Sequence, residues 1–184
     1  MNKSRLESFT DSIMAIAMTI MALRLIAPTG AEWVDLWDIR YRLLVYVFSF
    51  FTLAIYWKNH HNLFSQAKEI SHKVLWLNIA LVFWLTLFTF TTAWLGEFIN
   101  DFAPELTYGL VMLFANLTFV ALWREVTRVN DTKITIGRHR LLSTIAINLI
   151  ILPLGFLFPP IILIGCGIIL LMWVIPPGII LPKN

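Results

Sequence analysis

Six stretches of largely apolar residues are strung along this chain, each meeting or approaching the roughly 20 residues that a helix needs to cross bilayer hydrocarbon. They run from about Arg5 to Ala27, Ile39 to His61, Val74 to Leu95, Pro104 to Arg128, Arg140 to Phe158 and Ile161 to Leu181. This pattern predicts an all-α, polytopic membrane protein with six transmembrane helices. Pro28 and Gly30 should stop the first helix, and Pro104 is placed to open the fourth. The third and fourth helices should form a hairpin around an acidic turn carrying Glu97, Asp101 and Glu105. Pro159 and Pro160 break the hydrogen-bonding pattern and force a tight turn between the last two.

Composition agrees with the pattern. Hydrophobic residues make up 59% of the chain and charged ones 14%, and the mean hydropathy is +0.78, well outside the range of soluble domains. No stretch remains for a separate globular unit, so residues 1–184 read as a single domain. The formal charge of +3 does not point to nucleic acid, because the basic residues flank apolar runs, where topology accounts for them. With the N-terminus inside, only Arg24, Arg40 and Arg42 of the 14 Lys and Arg face outward. Both the N- and C-termini therefore read as cytoplasmic. Cys166, the single cysteine, lies inside an apolar run and reads as a packing residue with no intrachain disulfide. The polar stretch Glu7 to Ser12 before the first run, with no small-residue cleavage site after it, argues that this segment is retained.

The first helix carries an unusual share of polar residues: Arg5, Glu7, Thr10, Asp11, Ser12, Thr19 and Arg24. Polar groups are costly at membrane depth, so such a helix faces water or is buried in protein. Ser12, Ile16, Thr19, Ile20 and Leu23 share one face at spacings of three and four. That face could line a narrow pore, although periodicity alone favours helix packing or lipid contact for Ile16, Ile20 and Leu23. At the end of the second helix stands Trp57-Lys-Asn-His60-His61. Adjacent histidines project about 100° apart on a helix, so they form no metal pair, and no metal or cofactor is expected.

The run Arg5-Leu-Glu-Ser-Phe9-Thr10-Asp11, continuing Ser-Ile-Met-Ala-Ile16-Ala-Met-Thr19-Ile20-Met-Ala-Leu23, resembles the R-x-x-x-F-S-D signature of the transmembrane protein 175 family of potassium channels. Chain length and helix order are similar to a single-repeat prokaryotic member. Thr10 stands where that pattern has Ser, and Arg24 stands where an acidic or neutral residue is expected. The resemblance implies a homotetramer in the prokaryotic plasma membrane, with first helices around the axis and potassium ions, the lipid bilayer and further copies of the chain as its partners. It also implies a constriction at Ile16, Ile20 and Leu23, with Thr19 as a polar layer between them. Arg5, Phe9, Thr10 and Asp11 would hold the cytoplasmic part of the first helix, with Trp57 and His60 as candidate partners.

A ring of apolar side chains can gate by dewetting, and partial dehydration at it penalises sodium more than potassium. No T-V-G-Y-G stretch and no regular arginine ladder is present, so neither a carbonyl filter nor a voltage sensor is expected. A secondary transporter for a small ion or solute is the alternative; it needs a titratable group deep in a span. An enzyme is not expected, since no nucleophile, base and metal set converges at one depth.

Overall fold

The structure, a computed structural model, describes residues 2–131 and 138–174, and all regular structure within them is helical. Seven helices follow in order: α1 Lys3–Leu23, α2 Trp33–Asp38, α3 Arg40–Ser65, α4 His72–Glu97, α5 Phe102–Asn130, α6 Arg138–Leu154 and α7 Ile161–Val174. Of these, α1, α4 and α5 are long and apolar enough by themselves to cross a membrane. The continuation of the last apolar run to Leu181 lies outside the described residues.

Local chemistry sets the helix ends. Asn2 caps α1 by accepting the Ser4 N–H at 3.2 Å, and Ser71 caps α4 by accepting the Val74 N–H at 3.2 Å, each supplying a partner for an otherwise orphaned donor. The first helix stops at Leu23, short of Pro28, with the Arg24 N–H bonded back to Ile20 and Met21 carbonyls. Between α1 and α3 the structure adds α2, which the apolar pattern did not predict; the Asp35 carboxylate accepts the Glu32 N–H at 2.9 Å and closes its first turn. Toward the C-terminal end, α6 stops at Leu154 instead of Phe158. Pro153 lacks an N–H to bond the turn before it, and the chain leaves through tighter turns such as Leu157 N–H to Leu154 O at 3.0 Å.

The helices pack as an antiparallel series. α4 and α5 form the central pair, α3 lies against α4, and the α6–α7 pair packs on α5 and α3. Among the helices of the described residues α1 packs only on α3 and α4, which leaves its opposite face without a helical neighbour there. One end of the bundle gathers Lys3, whose ammonium donates to Ala67 O at 2.9 Å, and the buried Glu125 carboxylate, paired with Arg128 at 2.5 Å and Lys73 at 3.3 Å. Asn130 fastens the α3–α4 connection to the same end, its Oδ1 accepting the N–H groups of Lys68 and Glu69 at 2.6 and 2.8 Å. The opposite end is closed by the Arg42–Glu97 ion pair at 2.6 Å.

Glu105 corrects the picture of an acidic outer turn. Glu97 and Asp101 are exposed there, but Glu105 is fully buried, and its Oε2 accepts the Leu163 N–H of α7 at 2.9 Å. α5 begins two residues before Pro104, at Phe102, which carries position 105 inward around the first turn. There its carboxylate supplies the acceptor that the start of α7 lacks.

Candidate functional site on the first helix

α1 has two unlike faces. Leu6, Thr10, Met14, Ala17 and Met21, spaced by three and four, are buried against α3 and α4. Ser12, Ile16, Thr19, Ile20 and Leu23 are all exposed, Ile16 by 58%, Ile20 by 41% and Leu23 by 78%. Arg5 and Phe9 continue that exposed stripe toward the N-terminus by the same spacings. The two hydroxyls on the stripe turn their protons back onto the helix: Ser12 donates to Ser8 O at 2.7 Å and Thr19 to Ala15 O at 2.9 Å. Their remaining oxygen lone pairs stay free to accept.

The buried face is fastened by a directed chain of hydrogen bonds. His60 on α3 bonds Asn78 Oδ1 on α4 through Nε2 at 2.8 Å, and Asn78 Nδ2 donates to Thr10 Oγ1 on α1 at 2.8 Å. Thr10 in turn donates to Leu6 O at 3.0 Å. Because the Asn78 nitrogen faces Thr10, its oxygen faces His60, and the His60 proton sits on Nε2. All three side chains are buried, where an unpaired group would be costly and a completed chain fixes a single register. Beside them Trp57 Nε1 donates to Asp11 Oδ1 at 3.0 Å, and the Trp57 ring stacks on His61 with centroids 6.3 Å apart. His60 and His61 thus part company, the first stacking on Phe64 inside the bundle, the second exposed.

Of the residues singled out in the sequence, Thr10, Asp11, Trp57 and His60 are brought together. Arg5 and Phe9 are not: both are exposed, Phe9 by 46%, and the Arg5 guanidinium has no ion-pair or hydrogen-bond partner among the described residues. The reason is angular, since positions 5 and 9 fall on the stripe that faces away from α3 and α4. Asn78, the centre of the chain, was missed by a search for charged residues, although an amide in an apolar run was its visible signal.

The sequence model of the endosomal/lysosomal potassium channel TMEM175 matches residues 5–88, a stretch that holds the whole α1 stripe and every member of the hydrogen-bond chain. A potassium channel of Chryseobacterium sp. (strain P1-3) is 37% identical over 184 residues, covering 96% of this chain and 94% of that protein. This chain belongs to the TMEM175 family. A potassium channel of Streptomyces collinus (strain DSM 40733 / Tue 365) is 31% identical over 144 residues, 70% of this TMEM175-family chain and 66% of that protein. The crystal structure of a lysosomal potassium-selective channel TMEM175 homolog from Chamaesiphon minutus has the same fold, with a TM-score of 0.79 over 94% of this chain and 96% of that one at 21% identity. Membership of the TMEM175 family, an ion-channel family and not an enzyme family, together with three helices able to cross a bilayer, places the chain in a membrane.

Proposed function

We propose that this chain forms a potassium-permeable cation channel, a homotetramer whose first helices surround the conduction path. The observation that carries the reading is the stripe of α1. Its opposite face is locked to α3 and α4, while Ile16, Ile20 and Leu23 stand exposed with Thr19 among them. One six-helix subunit has no evident closed pathway, and cyclic symmetry would make one on the axis from four such stripes. Apolar rings of Leu23, Ile20 and Ile16 would gate by dewetting, and Thr19 oxygens, their protons turned to Ala15, would replace some of the water a cation loses there. Sodium gives up water at greater cost, so the preference for potassium is modest and needs no carbonyl filter.

Thr10, Asp11, Trp57 and His60 are positioning residues in this reading, holding the stripe in register from behind, and Arg5 and Phe9 face the neighbouring copies. The chain is a single domain of six spans with both termini in the cytoplasm, in a prokaryotic plasma membrane. The gathering of Lys3, Lys68, Lys73 and Arg128 at one end of the bundle supports that orientation. Purified protein in planar bilayers under opposed potassium and sodium gradients tests the reading, with the subunit number taken from the mass of the particle. Potassium-favouring single-channel currents from a tetramer are expected; a monomer that conducts would overturn the axial pore.

A further inference from the structure

Where α1 ends, a cavity of about 420 Å³ opens between it, α3 and α4. Arg24 and Arg42 both border it, together with Tyr46, Trp94, Glu97 and Phe98.

The two arginines reach this place by different routes. A side chain at Gly96 of α4 would meet the Arg42 Cα at 3.1 Å, so α3 and α4 touch at this level, and the Arg42 guanidinium pairs with Glu97 at 2.6 Å. Arg24 follows the last residue of α1 and lies three positions after Met21 and seven after Ala17, which puts it on the side of α3 and α4 and not on the stripe. It is exposed, and its guanidinium has no ion-pair or hydrogen-bond partner among the described residues. Two guanidiniums against one carboxylate leave the lining with one uncompensated positive charge. A guanidinium fork matches the paired oxygens of a phosphate. Tyr46 and Trp94 stand near the ends of long apolar helices, the depth at which such rings meet lipid headgroups. The volume lies within the roughly 300–1,000 Å³ that small-molecule sites span.

We propose that this cavity binds a singly charged phosphodiester, whose oxygens accept from Arg24 and Arg42 while its apolar part lies along Trp94 and Phe98. One negative charge matches the one positive charge left over, and a second would be set against Glu97. The aromatic walls favour a phosphodiester that carries hydrocarbon, the head of a phospholipid such as phosphatidylglycerol, over a free one.

The test uses the full-length protein in phosphatidylcholine liposomes, photolabelled with phosphatidylglycerol bearing a diazirine near its glycerol, with adducts mapped by peptide mass spectrometry. Adducts are expected at Tyr46, Trp94 or Phe98. Unlabelled phosphatidylglycerol should displace them about tenfold more effectively than a diacylglycerol of the same chains, the difference a charge-assisted hydrogen bond makes. Arg24→Gln should remove that advantage, and Arg24→Lys, which keeps the charge without the fork, should retain part of it. Glycerophosphoglycerol, the same head without chains, separates the sources: displacement by it as well as by the lipid assigns the cavity to a soluble phosphodiester, and displacement by the lipid alone assigns it to the bilayer, either outcome bearing out the phosphate site. Labelling spread evenly over outward-facing residues such as Ile79 and Phe83 would overturn it, as would equal displacement by phosphatidylglycerol and diacylglycerol. Should Arg24→Gln fail to fold, the competition in the unaltered protein decides the matter.

Discussion

Asn78 reaches across 68 positions of sequence to donate its side-chain amide to Thr10 Oγ1 at 2.8 Å. This bond, with the His60 contact at 2.8 Å behind it, ties α1 to α3 and α4 through one buried residue. Each donor in the chain ends on an acceptor, and the last, Thr10, ends on the backbone of its own helix. The apolar contacts of Leu6, Met14 and Met21 hold α1 against its neighbours without direction; the Asn78 chain gives the helix its rotation.

Asn78→Leu should therefore cost about 2–4 kcal/mol, because it strands both the His60 Nε2–H and the Thr10 oxygen in a buried setting. Thr10→Ser should cost far less, since the hydroxyl keeps both of its bonds. Thermal unfolding followed by size exclusion in detergent checks this, and equal melting temperatures for the two variants would show that the chain does not fix α1.

The Asp11–Trp57 bond is a different case. Asp11 is half-buried and Trp57 is 45% exposed, and among the described residues no arginine pairs with Asp11. Trp57→Phe, which removes the N–H and keeps a ring over His61, should cost about 1 kcal/mol, and Asp11→Asn, which keeps an acceptor, still less. Melting temperatures of both variants test it; a loss as large as that of Asn78→Leu would place the anchor here instead.

Much of this was legible in the sequence, and the misses have common physical causes. The apolar runs located six of the seven helices, α2 being the exception, because a long apolar stretch leaves its backbone least exposed as a helix, and the spacing of Ile16, Thr19, Ile20 and Leu23 located one face of α1 because the helical period is fixed. Periodicity could not say which face its neighbours cover; only the packing of Ala17 and Met21 inside the bundle settles that. Asn78 escaped notice because an amide bears no charge, although burial makes its partners as binding as those of an ion. Glu105 was misplaced because a carboxylate next to Asp101 looks like part of a polar turn, and its partner, the Leu163 N–H, is a backbone group 58 residues away that no side-chain pattern announces.

Glu105→Gln should leave stability nearly unchanged, because the amide oxygen can still accept the Leu163 N–H, whereas Glu105→Leu should cost about 1–3 kcal/mol by leaving that donor buried and unpaired. The same position separates a channel from a proton-coupled transporter, which needs a titratable group within a span. Potassium flux into liposomes should be independent of an imposed proton gradient and should survive Glu105→Gln. Flux that follows the gradient and is lost in Glu105→Gln would make Glu105 the coupling site.

The last prediction concerns the stripe itself. With Cys166, which is buried, replaced by Ser, single cysteines at Ile16, Thr19, Ile20 and Leu23 should react with a water-soluble thiol reagent and current should fall. Cysteines at Ala17 and Met21 should be silent, since both side chains lie against α3 and α4. Reaction should recur with a period near 3.6 because α1 is helical throughout this stretch. Applied from the Leu23 end, the reagent should reach Ile16 slowest, since it must pass Leu23 and Ile20 to get there. Lipid contact would also leave these four residues exposed in a lone subunit, but residues in hydrocarbon do not meet a charged aqueous reagent, so silence at all four would return the stripe to the lipid. Leu23→Ala should then raise sodium flux relative to potassium, because a wider ring admits cations with more of their water and relaxes the dehydration penalty. If Leu23→Ala leaves both conductance and ion preference unchanged, the narrow part of the path lies elsewhere than on α1.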